Sequence, residues 1–262
     1  MCSSIHLLAI ATFAARRAGE YVLANLHRRT DANAVHRLDV KHKLDVEAQE
    51  VATGIIRQAF PDHVIFGEES ETGIPSADGY VWIIDPIDGT VNFFHGMHWW
   101  CSSVAVRHNG KALAGAVFLP QVNELFQATA DGPALCNGMP IRVSGTASPE
   151  LAAFATGMGK WRSEELAYRL LRAISDFAQR PRMFGSAAAD MCMVAAGRMD
   201  GFFESGIHVW DMAAAGLIVE RAGGTAEVLR AFPDGCLAVL ATNGKLHAAS
   251  RDVLLPILCE FG

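Results

Sequence analysis

Apolar residues recur at steps of three and four along the first stretch of the chain. Ile5, Leu8, Ala11, Ala15, Ala18, Val22 and Leu26 share one face, which predicts an amphipathic helix over residues 4–28. The same period returns from Val46 to Phe60 and stops at Pro61, giving a second helix. The pattern then shortens. Val64-Ile65-Phe66 reads as a strand ending in Gly67-Glu68-Glu69-Ser70, and residues 71–79 are turn-rich and predict a loop. Tyr80 to Ile84 are aromatic and β-branched, as a buried strand requires, and Pro86 has no N–H for the next ladder bond, so this strand is expected to stop at Asp85. Ser102–Val106, Ala112–Leu119 and Glu124–Ala128 have the spacing of an antiparallel meander, and Asn137-Gly138 before Pro140–Val143 signals a hairpin.

Around Ser144–Glu150 the residues become small and polar, and strands begin to alternate with helices. Helices are predicted over Glu164–Ala178, over Gly185–Ala196 up to the breaker Gly197, and over Met212–Arg221, closed by Gly223-Gly224 and opened by Trp210-Asp211 with Asp211 as a cap. Strands are expected at Asp200–Glu204, Ala226–Leu229 and Cys236–Ala241, with a final helix from Arg251. The pattern divides the chain into a domain of residues 1–146 and a second of residues 147–262.

Composition narrows the class. With 51% hydrophobic and 19% charged residues, the 262-residue chain can bury a large core, and disorder is not expected. A net charge of −6 argues against a broad nucleic-acid surface, which needs clustered lysine and arginine. The cysteines at 2, 101, 136, 192, 236 and 259 form no C-x-x-C and read as reduced thiols of a cytoplasmic protein. The apolar run Leu7–Ala15 has no cationic region before it, so a signal peptide is the weaker reading, and no stretch has the length to cross a bilayer.

The candidate chemistry lies at Asp85-Pro86-Ile87-Asp88-Gly89-Thr90. Two carboxylates on opposite sides of a tight turn, followed by a glycine and a hydroxyl at a helix start, read as oxygen ligands for a hard divalent cation beside a phosphate seat. On spacing alone, an Asp-Pro turn followed by an N-cap explains the run without any ligand and is the plainer reading. Phe94, Trp99 and Trp100 read as packing residues rather than a base-stacking platform.

The run Trp82-Ile-Ile-Asp-Pro-Ile-Asp-Gly-Thr-Val-Asn-Phe93 resembles a signature of the inositol monophosphatase family, metal-dependent and lithium-sensitive phosphatases. Gly206-Ile-His-Val-Trp-Asp-Met-Ala-Ala-Ala-Gly-Leu-Ile-Val-Glu-Arg-Ala-Gly-Gly224 resembles its carboxy-terminal signature, and the likeness runs from about Leu38 to Gly244. The resemblance implies a layered αβαβα sandwich, of α+β or α/β class, with an antiparallel-sheet N-terminal half and a smaller α/β C-terminal half. It implies two or three Mg2+ ions, with Glu68, Asp85 and the Ile87 carbonyl on the first, and Asp85, Asp88 and Asp211 on the second. Thr90, with Asp45 and Glu68, would orient the attacking water. The N–H groups of Gly89 and Thr90 would hold phosphate oxygens, with Asp88 and Asp211 also facing the substrate, and Ala187 and Glu204 would face its alcohol part.

Asp39 and Asp45 align with two family aspartates, but His42 replaces the threonine between them. That histidine could line the substrate mouth or be a solvated loop residue. The substrate expected from the resemblance is inositol monophosphate. Histidinol phosphate, sugar bisphosphates, NADP and 3′-nucleotides are family alternatives, and a non-catalytic regulatory module is the alternative from another class. A homodimer acting on a small phosphate ester, with no nucleic-acid partner and no membrane, completes the expectation.

Overall fold

The structure is a computed structural model that describes residues 3–36, 39–69, 78–159 and 163–260. The loop expected at 71–79 falls mostly outside these residues, as do Ser70 and the side chain of Asp39. Helix α1 (Ser4–Ala24) ends a turn early and continues as a short 3-10 turn over Leu26–Arg28. The strands β1 (Ala32–His36) and β2 (Asp39–His42), which no periodicity announced, pair antiparallel and lead into α2 (Lys43–Ala59). That helix starts before Val46 because His42 caps it: the ring Nδ1 accepts Leu44 N–H at 3.0 Å while Nε2 lies 2.7 Å from the Arg29 carbonyl. His42 is 1% exposed, so neither expectation for it holds; both ring nitrogens are engaged in holding local structure.

Next come β3 (Val64–Gly67), β4 (Tyr80–Asp88), α3 (Thr90–Phe94), β5 (Cys101–His108), β6 (Lys111–Leu119), β7 (Glu124–Thr129) and the short hairpin β8 (Leu135–Cys136) with β9 (Met139–Pro140). They form one seven-stranded sheet in chain order, antiparallel except for the parallel β3/β4 pair. The rest of the chain supplies β10 (Ala153–Thr156), α4 (Glu164–Phe177), β11 (Arg180–Arg182), α5 (Ala187–Ala195), β12 (Gly201–Ile207), α6 (Val209–Arg221), β13 (Thr225–Ala231), β14 (Leu237–Thr242) and α7 (His247–Glu260). A five-stranded sheet of order β11-β10-β12-β14-β13 results, with β10 parallel to both neighbours.

Three apolar clusters show how the layers stack. α1 and α2 cover one face of the large sheet through Trp82, Ile84, Val104 and Phe118. On its other face Val81, Ile83, Ala105 and Phe126 pack against α5 and α6, which in turn meet Ala155, Phe202 and Val239 of the smaller sheet. α4 and α7 close the far side over Phe154, Phe203 and Leu240. The expected αβαβα sandwich is the fold. No helix among the described residues is long and apolar enough to cross a membrane.

Close approach of the middle layer depends on small residues. A Cβ added at Gly115 of β6 would stand 2.8 Å from Ala214 Cα and 3.2 Å from its carbonyl oxygen, so α6 rests with its backbone against the sheet. Gly115→Ala must therefore push α6 outward. We expect a loss of about 1–3 kcal/mol, as overpacking usually costs, read from urea unfolding; an unchanged midpoint would contradict this packing.

Candidate active site

Strand β4 does not stop at Asp85. It continues through Pro86 and Ile87 to Asp88, and its pairing with β5 steps from Asp85↔Ser103 to Asp88↔Cys101. Three residues of advance on β4 thus match two on β5, a one-residue bulge, and Pro86 sits where a missing N–H does no harm. The bulge decides the chemistry. In a regular strand, residues three apart face opposite sides of the sheet. The extra residue restores parity, so Asp85 and Asp88 both face the middle layer while Ile87 packs into the α1/α2 core. The expectation of carboxylates on opposite sides of a turn is corrected accordingly.

Asp88 does not cap the helix that comes after it either; Gly89, with φ +93°, precedes the short α3. Its carboxylate crosses to α5 instead. Oδ2 accepts from Ser186 Oγ at 2.6 Å and from Ala188 N–H at 2.7 Å, and Oδ1 accepts from Ala187 N–H at 3.2 Å. Asp88 is the cap of α5, an acid at the positive end of a helix dipole. Cys101 Sγ adds a long contact at 3.6 Å, its thiol pushed well up by burial.

Asp211 arrives from the opposite direction. It is the third residue of α6, and its Oδ2 accepts the N–H of the cap residue His208 at 2.5 Å. Ligand oxygens of Asp85, Asp88 and Asp211 lie within 4.8 Å of one another. Glu68 comes directly after β3, where its N–H donates to Ile84 O at 3.1 Å. Gln49 of α2 fills the space that a side chain at Gly67 would need and accepts Glu69 N–H at 3.1 Å, which fixes the end of that strand. Glu68 lines the same cavity as the three aspartates without joining their 4.8 Å group.

The cavity measures about 180 Å³, and its wall includes Glu68, Asp85, Asp88, Gly89, Thr90, Ala187, Glu204 and Asp211. Thr90 Oγ1 donates to the Ile87 carbonyl at 3.0 Å, so toward the cavity the hydroxyl can act only as an acceptor. Glu204, on β12, accepts Gly159 N–H at 3.1 Å. Asp45 is buried in the first turn of α2 and is not among the described residues that line the cavity. Sequence reasoning missed Ser186, Gln49 and the buried Asp190, whose Oδ1 accepts the Trp99 indole N–H at 2.7 Å. Ser186 alone had a local signal, a serine directly before a run of small helical residues.

The electrostatics result from this crowding. Burial pushes Asp85 well above the usual carboxylate range, and the charges of Glu68, Asp88 and Asp211 push it further. Burial likewise raises Asp211, with Asp88 and Glu68 adding to it, and lifts Glu204 to about 7 with help from Asp88. Asp88 is raised by burial despite its donors. Asp85 is the extreme case: it is 1% exposed, and no donor among the described residues reaches either oxygen. Without a cation its relief is to hold a proton, a tendency that burial and the neighbouring acids increase. A buried carboxylate with no donor, facing two more acids, is the donor set that a hard cation takes. The residues present fit a metal site.

Comparison with known proteins agrees with this geometry. The family model described as "Inositol monophosphatase family" matches residues 5–259. The chain is 38% identical over 257 residues to a Pasteurella multocida protein named Nus factor SuhB, covering 96% of this chain and 94% of that one. It is 33% identical over 264 residues to an Arabidopsis thaliana protein named Phosphatase IMPL1, chloroplastic, covering 97% of this chain and 71% of that one. The solved structure of an inositol monophosphatase from Anabaena superposes with a TM-score of 0.84 at 33% identity, covering 96% of each chain.

The raised acids make a stability prediction for the metal-free protein. Asp85, Asp211 and Glu204 hold protons more tightly folded than unfolded, so the stability they contribute is full below their ordinary values and is lost as pH rises through the raised ones; for Glu204 that window runs from 4.5 to about 7. Asp85→Asn mimics the protonated form. In a chelator at pH 8 the variant should melt several degrees above the unsubstituted protein, and the gain should shrink as pH falls and vanish below 3.8, the ordinary aspartate value. A variant that melts lower than the parent at pH 8 would show that the Asp85 charge is not the destabilising group.

Proposed function

Because the chain belongs to the inositol monophosphatase family, we propose that it hydrolyses a small phosphate monoester with Mg2+ as cofactor, inositol monophosphate being the substrate that fits best. The observation that carries the reading is Asp85, a buried carboxylate without a donor, grouped with Asp88 and Asp211 at the wall of a cavity. Asp85 would be shared between two ions, with Glu68 and the Ile87 carbonyl completing one set of ligands, and Asp88 and Asp211 the other. Bound divalent ions supply Lewis acidity and lower the pKa of water, the chemistry that an inert phosphate ester demands.

The chain's own groups have separate roles. Thr90 Oγ1, its proton committed to Ile87 O, accepts a hydrogen bond from the attacking water and so orients its lone pair. Glu68 stands on the same wall, and Asp45 supports this arrangement from the start of α2. The N–H groups of Gly89 and Thr90 meet phosphate oxygens, while Glu204 accepts hydroxyl protons of the alcohol part beside Ala187.

Two features support a polyol monophosphate. Among the described residues lining the cavity none is lysine or arginine, which favours an ester with one phosphate, and about 180 Å³ is less than a drug-sized pocket usually offers. The name Nus factor carried by the Pasteurella relative is the one observation that favours a second reading, a role outside catalysis. Retention of Glu68, Asp85, Asp88, Thr90 and Asp211 favours turnover.

Phosphate release with and without magnesium separates the two. We expect metal-dependent release, with inositol monophosphate giving the highest kcat/KM in a panel of esters and millimolar lithium inhibiting. Asp85→Asn should lower kcat by about 10³-fold or more with the fold retained. Normal turnover of that variant at saturating magnesium would refute the metal assignment, and absence of release from any ester would leave the non-catalytic reading.

A further inference from the structure

We propose that Asn92 is a positioning residue for this site: its amide ties the Gly89–Thr90 turn to the chain entering α5, and so sets where the anion seat stands relative to Asp88 and Ala187. The inference rests on the phosphatase reading above. Asn92 does not line the cavity and acts through residues that do.

The amide is 7% exposed, and its Nδ2 donates twice, to Trp99 O at 2.7 Å and to Phe184 O at 2.6 Å. Two carbonyl acceptors around one atom fix which end of the side chain is the NH2 group. The bonds join three separate stretches: α3, the segment before β5, and the segment before α5. Gly89 passes between them. A Cβ there would stand 3.1 Å from both Gly185 O and Trp99 O, and a Cβ at Gly185 would stand 3.1 Å from the Asn92 Nδ2, so the three segments meet without slack.

The residues just after Gly185 give the contact its consequence. Ser186, Ala187 and Ala188 are the donors that hold the Asp88 carboxylate. A second hold lies deeper in α5, where Asp190 binds the indole N–H of the same Trp99 whose carbonyl Asn92 binds. Asn92, Trp99 and Asp190 thus grip the start of α5 at two points. If the Asn92 end is released, the 184–188 segment can shift against the 88–90 segment, and the phosphate and alcohol ends of a bound ester no longer find their partners at a fixed separation.

Asn92→Asp keeps the shape and removes both donors; Asn92→Ser is uncharged and keeps one. For the first, kcat/KM toward the best ester should fall about 10²-fold, the loss a displacement of about 1 Å can cause. The dissociation constant of inorganic phosphate, measured by calorimetry with magnesium present, should rise about tenfold. The Trp99 indole N–H resonance of 15N-labelled protein, identified with Trp99→Phe, should move. Asn92→Ser should fall between Asn92→Asp and the parent on all three. A merely structural role would lower the melting temperature and the active fraction but leave phosphate affinity and the resonance of the folded molecules unchanged, and that result would overturn the proposal. So would a folded Asn92→Ser that matches the parent throughout. Should the parent protein release no phosphate from any ester, the phosphatase reading falls, while phosphate affinity and the indole resonance still decide the role of Asn92; parent protein that binds no phosphate overturns it.

Discussion

A carboxylate that no donor reaches must be balanced by something outside the chain or remain protonated, and Asp85 is in that position. Its neighbour Asp88 is the instructive contrast. Both are buried on the same side of the same strand, yet among the described residues Asp88 receives Ser186 Oγ and two backbone N–H groups while Asp85 receives none. The difference separates an acid that organises protein from one whose charge is available to a ligand. Asp88 can do both, since among the described residues its Oδ1 accepts only the Ala187 N–H, at 3.2 Å, and keeps a lone pair for a ligand.

The sandwich serves this arrangement. α5 and α6 lie between the two sheets, and both begin beside the end of β4, so two helix starts face one strand end. Each start gives backbone N–H groups to an acid of the cluster, α5 to Asp88 and α6, through its cap residue His208, to its own Asp211. Assembling the cage and ending the helices are therefore the same set of hydrogen bonds. The glycine contact of Gly115 with Ala214 holds α6 near enough to the sheet for Asp211 to arrive.

Much of this was legible in the sequence because it is local or periodic. The layer-forming helices, the meander strands and the runs holding Asp85, Asp88 and Asp211 all showed in residue pattern or resemblance. Element starts were less legible. α2 begins before Val46 because a histidine ring serves as its cap, an uncommon choice that no pattern marks. The bulge was hidden for a different reason: proline reads as a strand stop, and the pairing that carries the strand onward belongs to β5. Asn92 was invisible as a site residue because its partner Phe184 lies 92 positions away, and the serine signal at Ser186 did not reveal its partner Asp88, 98 positions away.

The bulge also limits how this chain can drift. Ile87 faces the α1/α2 core, so another apolar residue of similar size could stand there without touching the acids. Gain or loss of one residue between the two aspartates is another matter, because it reverses the side to which the later one projects and would drive a charge into that core. Substitution is open to evolution at this point of the loom, and change of length is closed.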